Sequence, residues 1–171
     1  PLDFKTILKS MLRQAPNIIL VGEIRDKEVG EVAVQAALTG HLVLATLHTN
    51  DAPGAVSRIL DMGIEPYLLS GALVGVVAQR LARKVCAECE TKYYPDPEVL
   101  AEAGLSGKAG KAFRKGSGCR SCHDTGFRGR VGVYEVMEVT PGVRRLIHRS
   151  AGSHEIRQKV SEQGTFTLFE E

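Results

Sequence analysis

Leu12-Arg-Gln-Ala-Pro-Asn-Ile-Ile-Leu-Val-Gly-Glu-Ile-Arg-Asp26 decides how this chain is read. Ile18 to Val21 form an uninterrupted apolar run, read as a buried strand. It leads straight into Gly22-Glu23. A carboxylate at the tip of a buried strand is costly to hold unless it has a task. In a nucleotide-hydrolysing α/β fold that task is to hold Mg²⁺, directly or through water, beside the phosphates. Asp26 then caps a following helix. Upstream, Phe4, Ile7, Leu8, Met11 and Leu12 recur at helical spacing and predict an amphipathic helix over 4–14. Helix, strand, acid and helix in so short a stretch predict the second half of a phosphate-handling α/β motor.

The pattern continues downstream. A helix runs from the Asp26 cap to Thr39, with Gly40 closing it. Leu42 to Leu47 reads as a second buried strand. Asp51 caps a helix through about Met62, stopped by Gly63, and Pro66 opens another helix to about Gln79. This alternation predicts a parallel sheet covered on both faces. From Leu81 the character changes to cysteines, glycines and basic residues. Residues 130–139 alternate as a strand. Thr140-Pro141 starts a helix, and Ser153 starts another that Gly164 closes.

The full signature is Arg13-x-x-Pro16-x-x-apolar-apolar-apolar-Gly22-Glu23-Ile24-Arg25-Asp26. It resembles that of the secretion ATPases driving type II secretion and type IV pilus assembly (the GspE/PulE/PilB group). Asn17 stands where the family usually has Asp. The resemblance implies a partial RecA-like P-loop NTPase core. It also implies an ATP hydrolase working as a homo-hexamer on a partner in the inner membrane: cytoplasmic, peripheral to that membrane, and using ATP and Mg²⁺. The P-loop pattern G-x-x-x-x-G-K-[ST] is absent. This predicts a piece whose P-loop and water-positioning acidic segment lie upstream, inactive by itself. Residues 166–171 lead to no further element, so the chain is expected to stop short of the family's end.

His41 and His48 bracket the second strand. Ligands in doubly wound folds sit at the carboxyl ends of strands, which places His48, Thr49 and Asn50 near Glu23 and His41 at the opposite end. The segment resembles the family's histidine box. The resemblance implies that the two histidines report nucleotide state or bridge subunits, with His48 on the phosphate side. Gly22 and Arg25 flank the acid and complete the expected nucleotide-side set. Arg13, Arg58, Arg80 and Arg83 are candidates for an arginine finger.

Cys86-x-x-Cys89 and Cys119-x-x-Cys122 can place four thiolates on one ion, the S₄ set of structural zinc. Three rival readings exist. Cys119-Arg-Ser-Cys122-His123 matches a haem attachment pattern, but haem leaves Cys86 and Cys89 unexplained. Disulfides are disfavoured in a cytosolic protein. A nucleic-acid-binding zinc module is the third, because Lys108, Lys111, Arg114, Lys115, Arg120, Arg128 and Arg130 face only Asp124 over residues 108–130. Phe113 and Phe127 alone offer stacking there, so no specific nucleic-acid recognition is expected. Gly118-Cys-Arg-Ser-Cys-His-Asp-Thr-Gly126 and Gly129-Arg-Val-Gly-Val-Tyr-Glu135 also resemble the family's metal-binding element, which favours assembly or secretion over retraction.

Composition sets bounds. Length 171 and 43% hydrophobic content support a real core, and 25% charged residues support solubility. No apolar run approaches the roughly 20 residues of a membrane span. Net charge is +2 but uneven: residues 81–130 hold 10 Lys/Arg against 6 Asp/Glu, while 1–80 hold 7 against 8. The expected organisation is 1–80 as the second half of the ATPase core, 81–130 as a tetracysteine zinc subdomain, and 131–171 completing the ATPase domain. A different class of reading competes: a zinc-bearing binding module on a catalytically silent α/β core, contacting nucleic acid or anionic lipid.

Overall fold

The computed structural model describes residues 4–164 and Leu168. The chain divides into two compact units, residues 1–79 with 134–171 and residues 80–133. Strands β3 (Gly75–Val85) and β6 (Phe127–Glu138) pair in a two-stranded sheet, and each strand spans a unit boundary.

The larger unit begins with α1 (Phe4–Leu12), β1 (Ile18–Val21), α2 (Lys27–Leu38) and β2 (Leu42–Ala45). β1 and β2 pair in parallel, Ile18 beside Leu42 through Val21 beside Ala45. Asp26 fixes the start of α2 by accepting from the Val29 N–H at 2.9 Å. The turn after α2 needs a positive φ, which Gly40 supplies at 101°. Val29, Val32, Ala33 and Ala36 then pack on Ile19 and Val21, forming one core. Leu12 of α1 joins its margin, whereas Ile7 and Met11 are exposed. The side chains of Phe4 and Leu8 lie outside the described set.

The expectation of two buried strands under a doubly covered sheet needs correction. Ile18 and Leu20 are 62% and 70% exposed, and Leu42 and Leu44 are 49% and 51% exposed. A strand turns successive side chains to opposite faces. Among the described residues, helix packs on only one of them.

A second core gathers the rest of this unit. α3 (Ala52–Asp61) contributes Ala52, Val56 and Ile59, α4 (Pro66–Ala72) contributes Leu69, and β6 contributes Met137. α6 (Pro141–His148) adds Val143 and Ile147, and α7 (Ser153–Ser161) adds Ile156 and Val160. Caps set the boundaries here too: Asp51 accepts from Gly54 at 2.7 Å and Thr140 from Val143 at 3.5 Å. The helix expected from Pro66 to Gln79 ends at Ala72, and Gly75–Gln79 belongs to β3. Val76 and Val77 are β-branched and favour the extended chain, and β6 supplies their ladder. Of the stretch 166–171, only Leu168 is described.

The smaller unit holds β4 (Glu90–Tyr93), the short α5 (Pro97–Glu102) and β5 (Phe113–Gly116). β4 and β5 run antiparallel, Glu90 beside Gly116 and Tyr93 beside Phe113. Arg114 bonds Glu90 across the pair, and the Tyr93 and Phe113 rings lie 6.1 Å apart. Gly116 and Gly126 touch backbone to backbone: a Cβ on Gly126 (φ 74°) would sit 2.6 Å from the Gly116 carbonyl oxygen.

Candidate active site and metal centre

Because β1 and β2 are parallel and in register, both strands leave the sheet at the same, carboxyl-terminal end. The Thr46 hydroxyl donates to the Gly22 carbonyl, and the Ile24 N–H donates to the Thr46 carbonyl at 3.1 Å. These bonds hold the two exits together. Glu23 sits there, one carboxylate oxygen 3.2 Å from His48 Nε2 and the other 2.5 Å from Arg25 Nε. Its side chain is 20% exposed, against 77% for Arg25 and 89% for the His48 ring. The acid is thus held half-inside by two partners that face outward. Space is open beside Gly22, where a Cβ would meet nothing within 4 Å. This end therefore offers a fixed carboxylate, a neutralising guanidinium and an accessible imidazole. That set can hold a hydrated cation and meet an anion.

The structure brings together Gly22, Glu23, Arg25 and His48. It does not bring His41 to them. His41 opens β2 at the opposite end, its Nδ1 3.0 Å from the Ala36 carbonyl oxygen and 3.3 Å from the Thr39 hydroxyl. Thr49 turns inward on its own loop, donating to the Asp51 carbonyl at 3.2 Å.

One residue at this end was not singled out from the sequence. Glu135 is buried at 5% exposure, and it accepts from the Ala52 N–H at 3.1 Å. The available signal was the phase of the β6 alternation. It puts Glu135 on the same inward face as the buried Met137 and Val139, an acid in an otherwise apolar row.

In the smaller unit the four cysteine sulfurs all lie within 4.8 Å of one another. The Sγ separations are 3.9 Å for Cys86–Cys119, 3.8 Å for Cys89–Cys122 and 3.7 Å for Cys119–Cys122. Four sulfurs set tetrahedrally at about 2.3 Å from one ion lie about 3.8 Å apart. A disulfide needs about 2.05 Å, so the spacing fits a shared metal. Cys86, Cys89 and Cys122 are buried. The backbone N–H groups of Cys119 and Gly126 point at Cys122 Sγ from 3.2 and 3.3 Å. Burial acts to raise the Cys122 thiol, but these two donors and the neighbouring thiols outweigh it and bring it down to about 6. Burial pushes Cys89 up to about 12, against a backbone bond from Gly118. The cluster can hold a metal ion.

The basic strip is partly spoken for. Arg114 bonds Glu90, Arg128 bonds Glu88 at 3.1 Å, and Lys115 lies 5.3 Å from the centre of the Tyr93 ring. Among the described residues no helix is long and apolar enough to cross a membrane.

A family model described as "Type II/IV secretion system protein" matches residues 1–171. The chain is 48% identical over 170 residues to the type IV pilus assembly ATPase PilB of Myxococcus xanthus, covering 98% of this chain and 30% of that protein. It is 50% identical over 147 residues to type II secretion system protein E of Dickeya dadantii, covering 86% of this chain and 29% of that one. Among solved structures it is similar to the pilus retraction motor PilT with bound ADP. There the TM-score is 0.56 and the identity 28%, over 97% of this chain and 41% of that chain. The chain thus spans less than a third of the length of these two curated relatives.

Proposed function

Because this chain belongs to the type II/IV secretion system protein family, we propose that it forms the carboxyl-terminal part of an ATPase that powers type II protein secretion or type IV pilus assembly. The observation that carries the proposal is the cluster of Glu23, Arg25 and His48 at the shared carboxyl-terminal end of β1 and β2. Glu23 would hold Mg²⁺, directly or through water, for the phosphates of ATP. When bound, Mg²⁺ neutralises charge developing on the transferred phosphoryl group. Arg25 and His48 keep the carboxylate aimed. The exposed His48 ring is the group that meets phosphate oxygens from this side, and Gly22 leaves room for them. His41 acts from the far end of β2, reporting nucleotide state through α2 or bridging subunits. The working assembly is a homo-hexamer with nucleotide between subunits, docked on an inner-membrane platform protein from the cytoplasmic side. Residues 1–80 and 131–171 serve the ATPase domain.

Residues 81–130 form a zinc subdomain. Cys86, Cys89, Cys119 and Cys122 hold Zn²⁺, which contributes folding free energy to a unit with little apolar core of its own. The competing reading of a silent core bearing a nucleic-acid or lipid module has less support, since Arg114, Lys115 and Arg128 already have partners within their own unit.

The test is Glu23→Gln in the complete protein. Nucleotide binding should persist while turnover falls by at least about 100-fold, the scale of losing one transition-state stabiliser. Turnover within a few-fold of the parent overturns the reading.

A further inference from the structure

We propose that Glu135 is a positioning residue for His48, holding the far end of the histidine loop in place. The inference rests on the ATPase reading above and extends it to a residue that reading does not use. β2 ends at Ala45 and α3 begins at Ala52, so His48 sits mid-way along a six-residue bridge. The near end of the bridge is tied to the Glu23 segment by Thr46, through the Gly22 carbonyl and the Ile24 N–H. In the middle, Leu47 packs against both cores of the larger unit. The far end needs its own anchor.

Ala52 is fully buried, and its N–H belongs to the first turn of α3, which has no intrahelical acceptor. Glu135 supplies one from β6, 83 residues away, at 3.1 Å. Its second carboxylate oxygen accepts from the Leu168 N–H at 3.4 Å. Asp51 reinforces the end, capping Gly54 at 2.7 Å and receiving Arg157 of α7 at 2.5 Å. A buried carboxylate is an expensive way to satisfy one amide. Its negative charge at the start of a helix offsets part of that cost. The result is a loop whose both ends are pinned, so the His48 ring stands 3.2 Å from Glu23 although it is 89% exposed.

The experiment uses the complete protein and compares Glu135→Met, Glu135→Gln, His48→Ala and the double variant His48→Ala with Glu135→Met. Glu135→Met keeps the volume and removes the acceptor. It should lower kcat about 10- to 100-fold, the effect of a small misplacement at a reacting centre, with KM for ATP changed less than about threefold. Glu135→Gln retains a carbonyl for Ala52 and should recover most of kcat. The double variant should be no slower than His48→Ala alone, because both act through one ring. Additive losses, or kcat within twofold in Glu135→Met, overturn the proposal. Hydrogen exchange on the unmutated protein gives an arm that needs no variant. The Ala52 amide should be strongly protected although its position in the first turn gives it no intrahelical acceptor, and exchange near the rate of an unstructured chain overturns the proposal. The Glu23→Gln result separates the two ideas: full turnover there removes the ATPase reading itself, whereas its loss together with an unaffected Glu135→Met removes only this inference.

Discussion

Single atoms decide most of the chemistry in this chain. Glu23 was legible as an acid ending an apolar run, and the four cysteines were legible by their paired spacing. Glu135 was not, because one acid in a strand has no periodicity of its own; only its bond to an amide 83 residues away reveals its use. Nor does spacing reveal how unequal the four thiols are. Cys122 is held down to about 6 against an ordinary 9.0, while Cys89 is pushed up to about 12. The sign of the pH dependence follows. A depressed thiol stabilises the folded form fully above its ordinary value, and that contribution is lost as pH falls through its folded value. Protons compete with metal for these sulfurs. A metal held by these sulfurs should therefore be released as the solution is acidified. A metallochromic dye in a slow acid titration checks this. Release already complete at neutral pH would contradict the ligand set.

Elements were readable where a side chain marks their ends. Asp26, Asp51 and Thr140 each accept a backbone N–H three residues on, and each helix starts where that residue type predicts. Asp26→Ala should cost about 1 kcal/mol of stability, the usual value of an N-cap. Chemical denaturation measures it, and metal content should not change, since the cap and the cysteines belong to different units. The strand that begins at Gly75 was hidden for a physical reason. Residues 67–78 are largely apolar, interrupted by Ser70, Gly71 and Gly75, and an apolar run fits a buried helix or a strand equally. Its state is decided by β6, more than 40 residues downstream. β4 and β5 were hidden for the opposite reason. Glu90-Thr-Lys-Tyr93 and Phe113-Arg-Lys-Gly116 are mostly polar, and their pairing is secured by Arg114 with Glu90 and by the Tyr93–Phe113 contact rather than by burial.

The two units are built on different principles. The larger one has two apolar cores made of helices and strand residues. In the smaller one the buried cluster consists of cysteines, with Leu100 the one other buried large apolar side chain among its described residues. Chelation should therefore melt residues 80–133 while the helices of the larger unit persist. Hydrogen exchange by mass spectrometry should show protection lost there first, and equal loss in both units would refute the division. The open side of the β1–β2 pair has a practical counterpart. Ile18, Leu20, Leu42 and Leu44 present an oily surface, and among the described residues no third strand joins β1 and β2; such surfaces adhere to copies of themselves. Handled as an isolated polypeptide, the chain should behave as a sticky colloid. Light scattering should rise steeply with concentration and fall when a mild detergent coats that surface, whereas Leu20→Lys with Leu44→Glu should keep it dispersed without either.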